Sequence, residues 1–350
     1  MQYKTIAVID EPHHVYLVQD EYNQKIYVRK VLDVYNAAVY EHLYRQPVEG
    51  IPRIIYYEEE QGRLVVIEEY ISGDSLEELM AQEELTNAQI VSYMLQLCQI
   101  LERLHSLQPP VIHRDIKPSN LIITTGDKLV LLDFNAAKHF DDRSKRDTVL
   151  LGTNGYAAPE QYGFGSSVVQ TDIYAAGVVL RELTETTEEN IEVFVPVIEK
   201  CTQMKPEERY ASASELAAEL RQTVKRDIVR KKEVQDFIPP GYRTGTPWKM
   251  ITATVGYLSI VYFCLTLHFE PANAASQWIQ RVWCLILFLT YIAVGFNYLN
   301  IRSHIPYAQD KRRIVRYVAL LLCNVIWTSV FLVVLAVVEE IFFPGLFATR

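Results

Sequence analysis

The run Val111-Ile112-His113-Arg114-Asp115-Ile116-Lys117-Pro118-Ser119-Asn120 gathers three side chains that could act together on one substrate. The carboxylate of Asp115 can orient a hydroxyl group and relieve it of its proton. The ammonium of Lys117, two residues on, can neutralise negative charge building on a group in transit. Asn120 offers a hard oxygen ligand of the kind magnesium prefers. Transfer of a phosphoryl group to a hydroxyl needs these functions, because its catalysis is mainly positioning and charge stabilisation. Taken in isolation, the same ten residues also read as a mixed-charge surface turn.

The surrounding elements must hold these groups in place. Residues 5–31 carry short β-branched runs (Thr5–Ile9, Val15–Val18, Lys25–Val28) between polar turns, the pattern of antiparallel strands. A helix is expected over Asp33–Gln46, and another opens at Ser75 with a serine N-cap. A long amphipathic helix over Thr86–Leu107 is expected to bury Ile90, Tyr93, Met94, Leu97, Ile100, Leu101 and Leu104. Lys128–Leu132 reads as a buried strand.

In this setting H-R-D-x-K-P-x-N resembles the catalytic loop of the protein kinases, and other motifs follow in the family's order. The resemblance makes Lys30 the strand lysine that holds the α- and β-phosphates of ATP. It makes Asp133, in Asp133-Phe134-Asn135, a magnesium ligand beside Asn120. Backbone groups near Glu69 and Ile71 would read the adenine edge. Gly152–Glu160 matches G-T-x-G-Y-x-A-P-E and, with Lys117, implies serine/threonine acceptors. Arg114 could bind a phosphate placed on the activation segment, with Thr148 and Thr153 as candidates and Ser144 behind them. Asp172 would brace the catalytic loop, and Arg209 would pair with Glu160. The runs D-F-N-A-A-K and A-A-P-E-Q-Y-G-F-G narrow the resemblance to kinases of Gram-positive bacteria.

Three departures stand out. Val8, Asp10 and His13 occupy the family's glycine positions, with no glycine before Gly50. Without glycines to let backbone amides close over phosphates, the nucleotide lid should be looser. Asn135 replaces the glycine of D-F-G. Glu41 is the only glutamate in the small-lobe helix, and two readings stand for it: partner of Lys30, or exposed helix residue. Alignment also puts Glu68 at the back of the nucleotide pocket, where a carboxylate would be partly desolvated, unless the alignment slips there.

The last hundred residues differ in kind. Beyond a basic stretch (Lys225, Arg226, Arg230, Lys231, Lys232) and Pro239-Pro240-Gly241, three runs lack charge apart from His268: 250–269, 282–301 and 317–338. Each is near the 20 residues a helix needs to cross about 30 Å of hydrocarbon. Basic residues precede the first run and fill the second loop, whereas the first loop has only Arg281 at its far edge, so the positive-inside rule puts the kinase-like part in the cytosol and the C-terminus outside. The first loop is too short to form an external domain. Net charge of −9 gives no footprint for nucleic acid, and five cysteines without paired spacing argue against a disulfide framework or a zinc site.

The expected fold class is therefore α+β: a two-lobed protein-kinase fold, then an all-α bundle of three transmembrane helices. Its parts are a small lobe (1–71), a large lobe (72–224), a basic juxtamembrane linker (225–249) and the membrane region (250–350). ATP and Mg²⁺ are the expected cofactors. A protein substrate and the bilayer are the expected partners, with self-association for autophosphorylation. A nucleotide-binding pseudokinase that acts as a scaffold at the membrane is the competing function.

Overall fold

The structure is a computed structural model. It describes residues 2–82, 85–140, 153, 155–162, 166–187, 191–268, 274–308 and 312–342, with 227–234 as helical backbone alone. Thr148 and Ser144 lie outside the described residues. The chain divides into two compact units, Met1–Arg226 and Asp227–Arg350.

The first unit opens with strands β1 (Tyr3–Asp10), β2 (Val15–Asp20) and β3 (Ile26–Leu32), then helix α1 (Ala37–Arg45) and strands β4 (Ile54–Glu60) and β5 (Arg63–Glu69). The strands form one antiparallel sheet in the order β1-β2-β3-β5-β4. The β-branched residues that suggested strands thus serve neighbouring ladders. The register pairs Val28 with Glu68 and Lys30 with Val66, which fixes what Lys30 can reach.

A short linker leads to β6 (Gly73–Ser75), α2 (Leu76–Gln82) and α3 (Asn87–His105). Gly73 is needed for contact: a Cβ there would lie 2.2 Å from the Ile123 carbonyl oxygen on the paired strand. Ser75 and Glu78 exchange hydrogen bonds at the start of α2, and Thr86 with Gln89 forms a full capping box on α3. The expected apolar stripe of α3 is buried from Ile90 to Leu104. Each fully buried aliphatic side chain there contributes about 1.5–3 kcal/mol.

Strands β7 (Val111–Ile112), β8 (Leu121–Thr124), β9 (Leu129–Leu131) and β10 (Lys138–His139) frame the loop that carries Asp115. Sheets β6-β8-β9 and β10-β7 hold its two ends. Helices α4 (Val169–Glu185), α5 (Val195–Cys201) and α6 (Ala213–Phe237) complete the helical lobe. Helix α6 continues without a break past residue 225, so the basic stretch begins as helix.

The second unit contains α7 (Pro247–Thr266), α8 (Ala274–Gly295) and α9 (Arg313–Phe342), each long and apolar enough to span a membrane. Helix α8 starts earlier than the charge-free run indicated and takes in Arg281. That charge is accommodated because Nε donates to the Leu267 carbonyl oxygen at 3.0 Å and the guanidinium lies 5.4 Å from the Trp278 ring. Glu339, the first charge beyond the third charge-free run, is buried in α9, accepting from Ser276 and Gln280 of α8. Two donors on the facing helix offset its desolvation.

Candidate active site

Asp115 sits on a loop tied down at both ends. Asp172 of α4, wholly buried, accepts the His113 amide at 2.9 Å and the Arg114 amide at 2.8 Å, and the His105 ring at 2.8 Å. Burial works against this carboxylate, but the bonds to His105 and the loop amides outweigh it and hold its pKa below the ordinary value. Arg114 takes a positive φ of 71°, a local strain that the surrounding bonds sustain. It is buried, and its carbonyl accepts from Gln161 at 2.9 Å.

The His113 ring receives the Asp115 amide at Nδ1 and meets the Leu132 carbonyl through Nε2. That pattern fits a neutral ring with its proton on Nε2, and burial depresses its pKa accordingly. Phe134 packs edge-on against it, ring centroids 4.8 Å apart.

Four groups meet at the Asp115 carboxylate. Asn120 Nδ2 donates to Oδ2 at 3.0 Å and to the Asp115 carbonyl at 2.8 Å. Lys117 Nζ lies 3.2 Å from Oδ2. The Thr153 hydroxyl and amide both donate to Oδ1, at 2.9 and 3.2 Å, and Lys117 Nζ donates to that hydroxyl at 2.9 Å. Burial raises the Asp115 pKa, but Lys117 and Thr153 more than reverse this, leaving it below the ordinary value and the carboxylate charged. Thr153 was a phosphorylation candidate. Its hydroxyl lies between Asp115 and Lys117, bonded to both.

Asp133 adopts a left-handed φ of 67° just after β9. The Leu132 amide donates to the Asn120 carbonyl at 2.8 Å, which holds the two expected metal ligands side by side. The Asp133 Oδ1 is buried and accepts no hydrogen bond, with Lys30 Nζ 4.0 Å away. A buried carboxylate oxygen without a donor, beside an asparagine whose amide nitrogen is already used, fits an oxygen-liganded divalent cation.

Lys30 departs from expectation in its partner. Nζ lies 2.7 Å from Glu68 Oε1, and both side chains are about nine-tenths buried. Burial opposes the ammonium, yet Glu68 and Asp133 outweigh it and hold the Lys30 pKa above the ordinary lysine value. Glu41 is not the partner: its half-buried side chain pairs with Arg45 at 2.6 Å along its own helix. The reason is helical phase. Helix α1 buries Val39, Tyr40 and Leu43, so position 41 points away from that face. Tyr40 occupies the inward position, and its hydroxyl donates to Asn135 Oδ1 at 2.8 Å.

The remaining expected residues fall around this centre. Arg209 and Glu160 form a buried two-pronged pair at 2.8 and 2.9 Å, with Thr171 donating to Glu160 at 2.7 Å. Glu69 ends β5, its amide donating to the Arg53 carbonyl at 2.9 Å, and Ile71 lies in the linker before β6. The lid position is a turn built without glycine: His14 takes φ of 53°, and the Asp10 carboxylate accepts from the His13 amide and ring. Sequence reasoning missed Tyr40, and with it the pair His42 and His139, whose ring nitrogens lie 3.1 Å apart between α1 and β10 with the ring planes tilted at 48°. Counting the phase of α1 from Val39 and Leu43 would have singled out Tyr40.

Residues 13–238 match the protein kinase domain. The chain is 33% identical over 196 residues to serine/threonine-protein kinase B of Synechocystis, covering 47% of this chain and 34% of that protein. Serine/threonine-protein kinase D of the same organism is 32% identical over 190 residues, covering 47% and 36%. Serine/threonine-protein kinase CDG1 of Arabidopsis thaliana is 38% identical over 150 residues, covering 41% and 32%. The matches thus take in about a third of each relative's length. With a family match spanning well over half its residues, the chain belongs to the protein kinase family.

Proposed function

We propose that the chain is a serine/threonine protein kinase, of the type found in Gram-positive bacteria, that transfers the γ-phosphoryl group of ATP to protein hydroxyls. The single observation that carries this reading is the convergence of Lys117, Thr153 and Asn120 on a charged Asp115. On this reading Asp115 orients the acceptor hydroxyl and takes its proton, and Lys117 offsets charge on the phosphoryl group in flight. Asn120 and Asp133 hold Mg²⁺, which supplies charge neutralisation at the phosphates. Lys30 holds the α- and β-phosphates, and the linker through Glu69 and Ile71 receives the adenine. Thr148 and Thr153, with Ser144 behind them, are the segment's candidate phosphoacceptors, a second copy of the chain transferring the γ-phosphoryl group from ATP and releasing ADP.

Helices α7, α8 and α9 anchor the kinase in the membrane, and the basic residues Arg302, Arg312, Arg313 and Arg316 support a cytoplasmic second loop and an external C-terminus. The glycine-free lid and Asn135 favour a second reading, a nucleotide-binding scaffold without phosphate transfer.

Full-length protein in detergent micelles, incubated with radiolabelled ATP and Mg²⁺, separates the two. The kinase reading expects incorporation on serine or threonine that is lost in Asp115→Asn and Lys30→Ala. Incorporation surviving both substitutions contradicts it, and nucleotide binding without any transfer by the parent selects the scaffold.

A further inference from the structure

The strand lysine of this family is expected to be positioned by a glutamate from the small-lobe helix, so that movement of the helix makes or breaks the site. Here that helix offers no glutamate to the cleft. Glu41 is held by Arg45, and Tyr40 fills the inward position. Yet Lys30 is fully paired. Its partner stands on the adjacent strand: Glu68 opposes Val28, two residues before Lys30 on β3, and so is Lys30's diagonal neighbour on the same face of the sheet. The contact is 2.7 Å, in a region where neither charge could be left alone without a large desolvation cost.

We infer that Glu68 is the positioning residue for Lys30, and that the register of β3 and β5, rather than the placement of helix α1, presents the lysine to the nucleotide phosphates. Two consequences follow from the geometry. Both partners belong to one sheet, so a displacement of α1 leaves the pair intact. Helix α1 is instead linked to the metal-bearing turn, through the Tyr40 hydroxyl and Asn135. The phenol is buried close to Glu68 and Asp133, which together with burial push its pKa well above the ordinary value, so it stays a hydrogen-bond donor at neutral pH. Helix movement would therefore be felt at Asp133 and its metal, not at Lys30. This inference rests on the kinase reading for the role of Lys30, but the pair can be tested without phosphate transfer.

The test uses full-length protein in detergent micelles and three variants: Glu68→Gln, Glu68→Asp and Glu41→Ala. The first readout is acylation of Lys30 by an amine-reactive ester at neutral pH, followed by mass spectrometry of the Lys30 peptide without nucleotide. Glu68→Gln removes the carboxylate that holds the lysine nitrogen, so labelling should accelerate several-fold in Glu68→Gln, less in Glu68→Asp, and not in Glu41→Ala. The second readout is MgATP affinity, expected to weaken about tenfold in Glu68→Gln and to stay within twofold in Glu41→Ala. Thermal melting without nucleotide checks that each variant unfolds cooperatively, and if Glu68→Gln does not, Glu68→Asp is read in its place. Unchanged labelling and affinity in the Glu68 variants, or loss of affinity in Glu41→Ala, overturns the inference. Failure of phosphate transfer in the parent, with the labelling pattern as expected, would sink the kinase reading while leaving the pair standing.

Discussion

Two walls face each other across the cleft. On the large-lobe wall, Asp115, Lys117 and Asn120 come from one short loop, and the bonds among them form within that loop and with Thr153. On the small-lobe wall, Lys30 depends on a residue from another strand, and the helix glutamate pairs with Arg45 instead. The large-lobe wall keeps the family's residue types and brings them together on one loop. The small-lobe wall keeps the electrostatic result, a buried paired lysine near the Asp133 carboxylate, with different residues. An ammonium in a low-dielectric cleft needs a carboxylate within hydrogen-bond reach, and any backbone that delivers one is acceptable.

The comparison can be broken most decisively on the large-lobe side. Asp115→Asn should lower phosphate transfer about 10²–10⁴-fold while leaving MgATP affinity within a few-fold, since general-base assistance is lost and nucleotide contacts are kept. Equal losses in both quantities, read by kinetics and calorimetry, would mean that Asp115 holds nucleotide rather than acceptor. The scaffold of that wall is tested by Arg209→Ala. This leaves Glu160 buried without its ion partner and should cost about 3–5 kcal/mol in denaturant unfolding. A loss below 1 kcal/mol would show that the pair is dispensable.

On the small-lobe side, Tyr40→Phe removes one buried hydrogen bond and strands the Asn135 oxygen, at a cost of about 1–2 kcal/mol. The effect should appear in stability and in the Mg²⁺ concentration needed for nucleotide binding. A change in Lys30 labelling instead would contradict the separation of α1 from Lys30. Smallest of all, removing the Glu41–Arg45 pair by Glu41→Ala should shift stability by less than about 0.5 kcal/mol.

A pH experiment sharpens the account of the loop. Burial lowers the folded pKa of His113 below its ordinary 6.5, so the folded state binds fewer protons there than the unfolded chain. The stability it contributes is complete above pH 6.5 and is lost as pH falls from there through the lower folded value. The unfolding free energy of the parent should therefore decline more steeply below pH 6.5 than that of His113→Gln. Parallel slopes would mean that the ring is not held neutral.

What the sequence disclosed follows the same division. The catalytic loop, Asp133, and the Glu160 and Arg209 pair were legible because their residue types sit at fixed short spacings or in motifs whose order is itself informative. The α3 stripe was legible because helical period and burial coincide over five turns of mixed residues. Glu68 was visible only as an oddity, a carboxylate where an apolar residue was expected, because its meaning depends on the register of strands β3 and β5. The role of Tyr40 required the rotational phase of a nine-residue helix, and the same phase decides between the two readings of Glu41, which pairs with Arg45 and not with Lys30. The contacts of Thr153 with Asp115 and Lys117 were not legible, because a hydroxyl in a loop carries no sign of what it will bond. The start of α8 was hidden by Arg281, whose charge the Leu267 carbonyl and Trp278 accommodate.

The proposed function requires Lys30 and Asp133 to hold one metal-bound nucleotide together. A double-mutant cycle in MgATP affinity, with Lys30→Ala, Asp133→Asn and the pair combined, measures this directly. The account predicts that the double variant loses clearly less than the sum of the single losses, a coupling of about 1 kcal/mol or more. Strictly additive losses, or a Lys30→Ala variant that binds MgATP as the parent does, would contradict it.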